Sequence, residues 1–168
     1  MKNFMIIKDR MTAQLEGEFV VFLIGMRINK FWQIHQWLPV MRAMGKMLRE
    51  LYSHPELGLL HHEIAFSRTF VIIQYWRSMD QLMSYAKSKD NQHLPAWREF
   101  NQKISNAASV GIWHETYAAS NGSYENIYVN MPAFGLGRAG ILEKVQGNHD
   151  SAKGRLFRGK ESSLDGTI

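Results

Sequence analysis

Three observations predict an α+β fold of the ferredoxin-like, split βαβ kind, an antiparallel sheet with both helices on one face. The first is the order of periodicities: strand-like apolar runs and helical stripes succeed one another as β-α-β-β-α-β up to Tyr117. The second is EFVVFLIGMRI (Glu18 to Ile28), β-branched, aromatic and apolar on both faces, as a central strand buried on both sides is. The third is a pair of strands, roughly 59–66 and 69–76, joined tightly at Ser67-Arg68.

Residues 1–16 carry few periodic signals and are expected to form an N-terminal arm. After the first strand, FWQIHQWLPVMRAMGKMLRELYSH is helical, and Pro39 predicts a break in it. A short piece over 31–37 and a main helix from about 39 follow, the latter with Val40, Met44, Met47, Leu48 and Leu51 as its apolar stripe. The second helix opens at Ser78, with Gln81 three residues later in a capping-box pattern. KSKDNQ (Lys87 to Gln92) interrupts it, and Pro95 starts a further helical piece carrying Trp97, Phe100 and Ile104. SVGIWHETY (Ser109 to Tyr117) is the last strand of the order, with Val110, Ile112, His114 and Thr116 on one face and Gly111, Trp113, Glu115 and Tyr117 on the other. ENIYVNM is a short strand before the glycine-rich PAFGLGRAG. The division expected is an arm over 1–16, one domain over 17–147 and a flexible basic tail over 148–168, because SAKGRLFRGKESSLDG holds too few apolar residues to offset ordering entropy. Helices cover only one sheet face, yet the first strand is apolar on both, so a second copy of the sheet is the economical cover and a homodimer is expected.

Composition narrows the function. The 168 residues are 45% apolar and 21% charged, as in an ordinary globular domain large enough to bury a core. There is no cysteine, so disulfides, thiolate metal sites and a Cys nucleophile are excluded. The longest apolar run, FVVFLIGM, is eight residues against the roughly 18 of a membrane span, and MKNFMIIKDR returns to charge after five uncharged residues. A cytoplasmic protein without a membrane partner is expected. The net charge of +5 is spread thinly, clusters only in KGRLFRGK (Lys153 to Lys160), and comes with no nucleic-acid motif.

Several motifs fail on spacing. GLGRAG (Gly135 to Gly140) has neither GK[ST] nor GxGxxG spacing, so it is expected to be a loop or lid. Adjacent His61 and His62 point to opposite strand faces, HExxH is absent, and no metal site is expected. GxSxG is absent too. What remains is aromatic. Trp76 with its neighbour Tyr75, Trp97 and Trp113 come from elements that adjoin in a split βαβ fold. His93, Trp97 and His114 are expected to converge between sheet and helices, with Arg27 or Asn29. An aromatic-walled cavity with a few imidazoles holds a flat organic ligand.

GEFVVFLIGMRINKFW, WLPVMRAMGKMLREL, HPELGLL, QYWRSMDQLMSYA, HLPAWREFN, GIWHETY and YVNMPAFGLG, in that order, resemble the family related to the fungal monooxygenase of fumagillin biosynthesis, itself similar to antibiotic-biosynthesis monooxygenases. The resemblance covers about residues 12–145. It implies a homodimeric, dimeric α/β barrel that oxidises aromatic or polyketide substrates with dioxygen and no metal or flavin. The wider superfamily also holds haem-degrading enzymes, haem-dependent dehydratases and non-catalytic proteins, so haem, held by His93 or His114, and a small-molecule-binding module are the alternatives. Cofactor-free oxygenation needs a substrate anion that can reduce dioxygen, hence a base, oxyanion donors and a dry cavity. His114 or His93 fits the base, an imidazole titrating near neutral pH. Arg27 or Asn29 fits the oxyanion, and Trp97 and Trp113, with Trp76 and Tyr75, fit the substrate walls.

Overall fold

In the computed structural model, residues 5–88 and 108–158 are described. The main sheet has the strand order β3-β4-β2-β5 and is antiparallel throughout. Its strands are β2 (Phe19–Ile28), β3 (Leu59–Ala65), β4 (Thr69–Trp76) and β5 (Val110–Ala119). The most apolar strand, β2, is central. Helices α1 (Ile34–Ser53) and α2 (Met79–Lys87) connect β2 to β3 and follow β4. This is the ferredoxin-like order the periodicities predict.

The core lies between sheet and helices. Val20, Met26, Ile28, Phe70, Ile72, Trp76 and Val110 from the sheet pack against Val40, Met44, Leu48, Leu51, Leu82 and Tyr85. Alternation along each strand sends these to one face. Burying each large side chain contributes about 1.5–3 kcal/mol. Ser78 caps α2, its hydroxyl accepting from the Gln81 backbone N–H at 3.2 Å.

Helix α1 departs from the expected break, running unbroken through Pro39 for 20 residues. Proline is only its sixth residue, so the missing N–H costs one bond near the start, to the His35 carbonyl. Both residues lie on the exposed flank, where solvent reaches that carbonyl.

The second difference concerns the chain ends. Instead of a featureless arm, residues 7–14 form β1 (Ile7–Gln14), the centre of a second sheet with order β6-β1-β7. Its partners are β6 (Tyr128–Met131) and β7 (Ile141–Lys144). Ala13 of this sheet, with Leu136 just before β7, packs against Phe19, Val21, Tyr75 and Ala119, covering one end of the main-sheet face that the helices leave bare. The glycine-rich stretch, expected as a loop or lid, folds as a one-turn helix, α3 (Leu136–Ala139), held against β3. Glu63 accepts from the Gly135 N–H at 2.9 Å and from His61 Nε2 at 3.0 Å. Gly135 has φ +55°, and a Cβ there would stand 2.9 Å from the Tyr75 hydroxyl, so this docking needs glycine.

Part of the expected free tail is also docked. Residues 152–156 form α4 (Ala152–Leu156), whose Arg155 is 8% exposed. Its guanidinium pairs with Glu125 and donates to the carbonyls of His149 and Asp150, both at 2.9 Å. Arg158 donates to Thr12 Oγ1 at 2.8 Å, tying the segment to β1. Charge pairing, rather than apolar burial, orders this segment, and composition alone does not reveal such pairing.

Candidate functional site

Between the sheet and the helices lies a small cavity of about 30 Å³, open to solvent on one side. Phe22, Ile24, Ile72 and Trp76 form its floor, and Met44, Met47, Leu51, Leu82 and Ala86 its roof. Alternation in TFVIIQYW sends Ile72, Gln74 and Trp76 to this side and turns Tyr75 away.

Two polar pairs break the apolar lining. The Trp76 indole donates to Gln74 Oε1 at 2.8 Å. The Tyr85 hydroxyl donates to Glu50 Oε2 at 2.8 Å, and the Trp76 and Tyr85 rings stand 5.7 Å apart. Burial, reinforced by the Glu50 carboxylate, pushes the Tyr85 phenol far above its ordinary range, so it stays protonated. Gln74, Tyr85 and Glu50 are absent from the sequence-derived candidates. The available signal was Gln74, a polar residue at an inward position of an otherwise apolar strand.

The sequence candidates separate. Trp76 is in the cavity, 1% exposed. His114 is on the same sheet face, opposite Ile24, but exposed; its ring is 5.7 Å from that of Phe22, which lines the cavity. Trp113, Arg27 and Tyr75 do not join them, because odd-numbered positions of β2, β4 and β5 face away from the helices. The Trp113 indole lies over Gly25, where a Cβ would sit 2.6 Å from its Nε1. Arg27 is exposed and donates to Thr69 Oγ1 at 3.3 Å. Tyr75 packs with the second sheet, its pKa pushed up to about 12, chiefly by burial. Asn29 lies beyond β2, its amide donating to the Ala108 carbonyl at 3.1 Å. His93 and Trp97 lie outside the described residues.

Among the described residues no group of three His, Asp or Glu side chains is placed to hold a metal ion. Nor does any described histidine line the cavity. Iron of a haem there would need an imidazole that the described lining does not offer. No described helix is long and apolar enough to cross a membrane.

Fold and cavity define a ferredoxin-like α+β protein with an apolar chamber between its layers. Residues 19–136 match the family described as monooxygenase af470-like, and the chain belongs to that family. It is 26% identical over 171 residues to monooxygenase af470 of Aspergillus fumigatus, a match covering 88% of this chain and 59% of that protein. The chain thus spans about three-fifths of the curated relative it matches. Among solved structures it is similar to an aldoxime dehydratase (OxdRE) in complex with butyraldoxime. That similarity has a TM-score of 0.65 and 16% identity, over 80% of this chain and 41% of that one. It is also similar to SnoaB, a cofactor-independent oxygenase from Streptomyces nogalater, with TM-score 0.44 and 14% identity, over 61% and 93% of the two chains. The dehydratase shares the fold.

Proposed function

We propose that this chain is a small cytoplasmic monooxygenase that oxidises an aromatic or polyketide-like molecule with dioxygen, without a cofactor, in the cavity between sheet and helices. The observation that carries the reading is a small, apolar cavity lined by Trp76 and Phe22 between sheet and helices, in a chain of the monooxygenase af470-like family. A base removes an acidic C–H or O–H proton from the bound molecule, and the resulting anion passes one electron to dioxygen. Radical and superoxide combine into a C–O bond, and loss of water from the hydroperoxide leaves a ketone, so that R₂CH₂ and O₂ become R₂C=O and H₂O. His114, whose ring neighbours Phe22 at the cavity's edge, and His93 are the bases assigned by this reading, the substrate reaching His114 through the open side. Trp76 and Trp97 wall the substrate. Water exclusion by the apolar lining strengthens every hydrogen bond to the developing anion.

The rest of the exposed sheet face is assigned to a second copy of the chain. Leu23, Val71, Ile73 and Trp113 are only half-buried there, and the second sheet covers just one end. Arg27 and Asn29 act, on this reading, at that interface rather than on the oxyanion. Light scattering at micromolar concentration is expected to give twice the chain mass of 19.5 kDa; a mass at 19.5 kDa removes the dimer.

The catalytic test is oxygen uptake with a panel of enolisable aromatic ketones and phenols. His114→Gln is expected to keep the melting temperature, since the residue is exposed, and to lose turnover. Full turnover in both His114→Gln and His93→Gln rejects imidazole base catalysis. Absence of uptake across the panel by wild-type protein, with the same compounds shown to bind, rejects oxygenation.

A further inference from the structure

The cavity holds one polar group whose role the packing leaves open. Gln74 is 7% exposed, and its carboxamide orientation is fixed by chemistry: an indole N–H can only donate, so the amide oxygen faces Trp76. The NH₂ is left on the other limb of the planar amide. It has no hydrogen-bond partner among the described residues, yet it is not sealed from accessible space, and Gln74 lines the cavity. The Tyr85 hydroxyl, the other polar group on the lining, already donates to Glu50. A strand otherwise as apolar as TFVIIQYW could have carried leucine here, so the open amide is a donor the fold itself does not need.

We infer that the Gln74 side-chain NH₂ is the donor for an acceptor oxygen of the cavity's occupant, so that the site takes a flat apolar molecule with a carbonyl or enolate oxygen on one edge. The assignment rests on the cavity being the reaction site. It makes Gln74 a residue that touches the ligand and Trp76 the residue that positions it. The aromatic rings of Trp76 and Phe22 on the lining suit a ring system, while the amide matches its one polar atom. The donors also stand ready to stabilise charge that forms on that oxygen when a proton leaves.

The test uses a matched pair of probes, 1-indanone and indane, which differ by a carbonyl and share a flat bicyclic shape. Both are titrated calorimetrically into the full chain and into Gln74→Met and Gln74→Glu. The methionine keeps the length without polar hydrogens; the glutamate keeps an acceptor for Trp76 and puts lone pairs where the donors stood. The expected result is that the ratio of the two dissociation constants moves about five- to tenfold against the ketone in either variant, while indane binding changes by less than about twofold. Should the carboxylate variant fail to fold, the methionine variant carries the comparison alone. A ratio within twofold of wild type, with both probes binding, overturns the Gln74 assignment and leaves the cavity reading standing. Failure of both probes to bind wild-type protein at one per chain overturns the cavity reading and the assignment with it.

Discussion

Arg155 provides a sharp test of how the chain's last described segment is held. Replacing it by methionine keeps the aliphatic length but removes a guanidinium that pairs with Glu125 and bonds two backbone carbonyls. Breaking a fully buried pair costs about 3–5 kcal/mol, because one charge stays behind unpaired. The Glu125 side chain is 29% exposed, so water recovers part of that, while the carbonyls of His149 and Asp150 lose donors worth about 1 kcal/mol each. A net loss of about 3 kcal/mol is expected. For a chain of this length each kcal/mol lowers the melting temperature by roughly 2–4 °C, giving roughly 6–12 °C by differential scanning calorimetry. Removing residues 151–168 should lose at least as much, since Arg158 and its bonds to Thr12 and Gln14 go as well. If both proteins melt within about 2 °C of wild type, the segment is a free tail and the ion-pair argument is wrong.

Gly135→Ala should cost about 1–3 kcal/mol in urea unfolding with an unchanged m-value, from the positive φ and the collision with the Tyr75 hydroxyl. Tyr75 is raised from an ordinary value near 10 to about 12, so its neutral phenol supports the fold fully below pH 10 and progressively less up to pH 12. Stability measured across that window should fall less steeply in Tyr75→Phe; equal slopes would remove Tyr75 as the cause. In Gly25→Ala the new Cβ would lie 2.6 Å from both the Phe70 carbonyl oxygen and the Trp113 indole. A loss of about 1–3 kcal/mol with red-shifted tryptophan emission is expected, and an unchanged spectrum would mean the indole does not cover that glycine.

The main sheet and its helices were legible because each element carries its own period, and no contact had to be known in advance. Pro39 misled because a rule about helix interiors was applied six residues from a helix start, where one missing bond is tolerable. In the second sheet only β6 was legible, as the short strand ENIYVNM, and its centre β1 was missed for another reason. IKDRMTAQ buries only Thr12 and Ala13, and its partners are four residues each and far along the chain, so pairing rather than pattern makes it a strand. At the site, Trp76 and the cavity's position followed from the topology. The convergence of Trp113, Arg27 and Tyr75 with them did not, because strand alternation separates odd from even positions. Gln74 was overlooked since hydrogen-bond satisfaction is a property of the folded neighbourhood, and its strand looks apolar when scanned as a whole.

Strand β1 lies between partners synthesised more than 110 residues after it. At about 5–20 residues per second, a ribosome completes β6 and β7 roughly 6–25 s after β1 has been made. All four strands of the main sheet precede β6 in the chain, so that sheet can close first, with the Phe19, Val21 and Tyr75 end of its bare face uncovered. During that interval β1 is a solitary strand with two open edges, available to any chaperone or neighbouring nascent chain that pairs with backbone. Closure of the second sheet therefore waits on strands made more than 110 residues after β1.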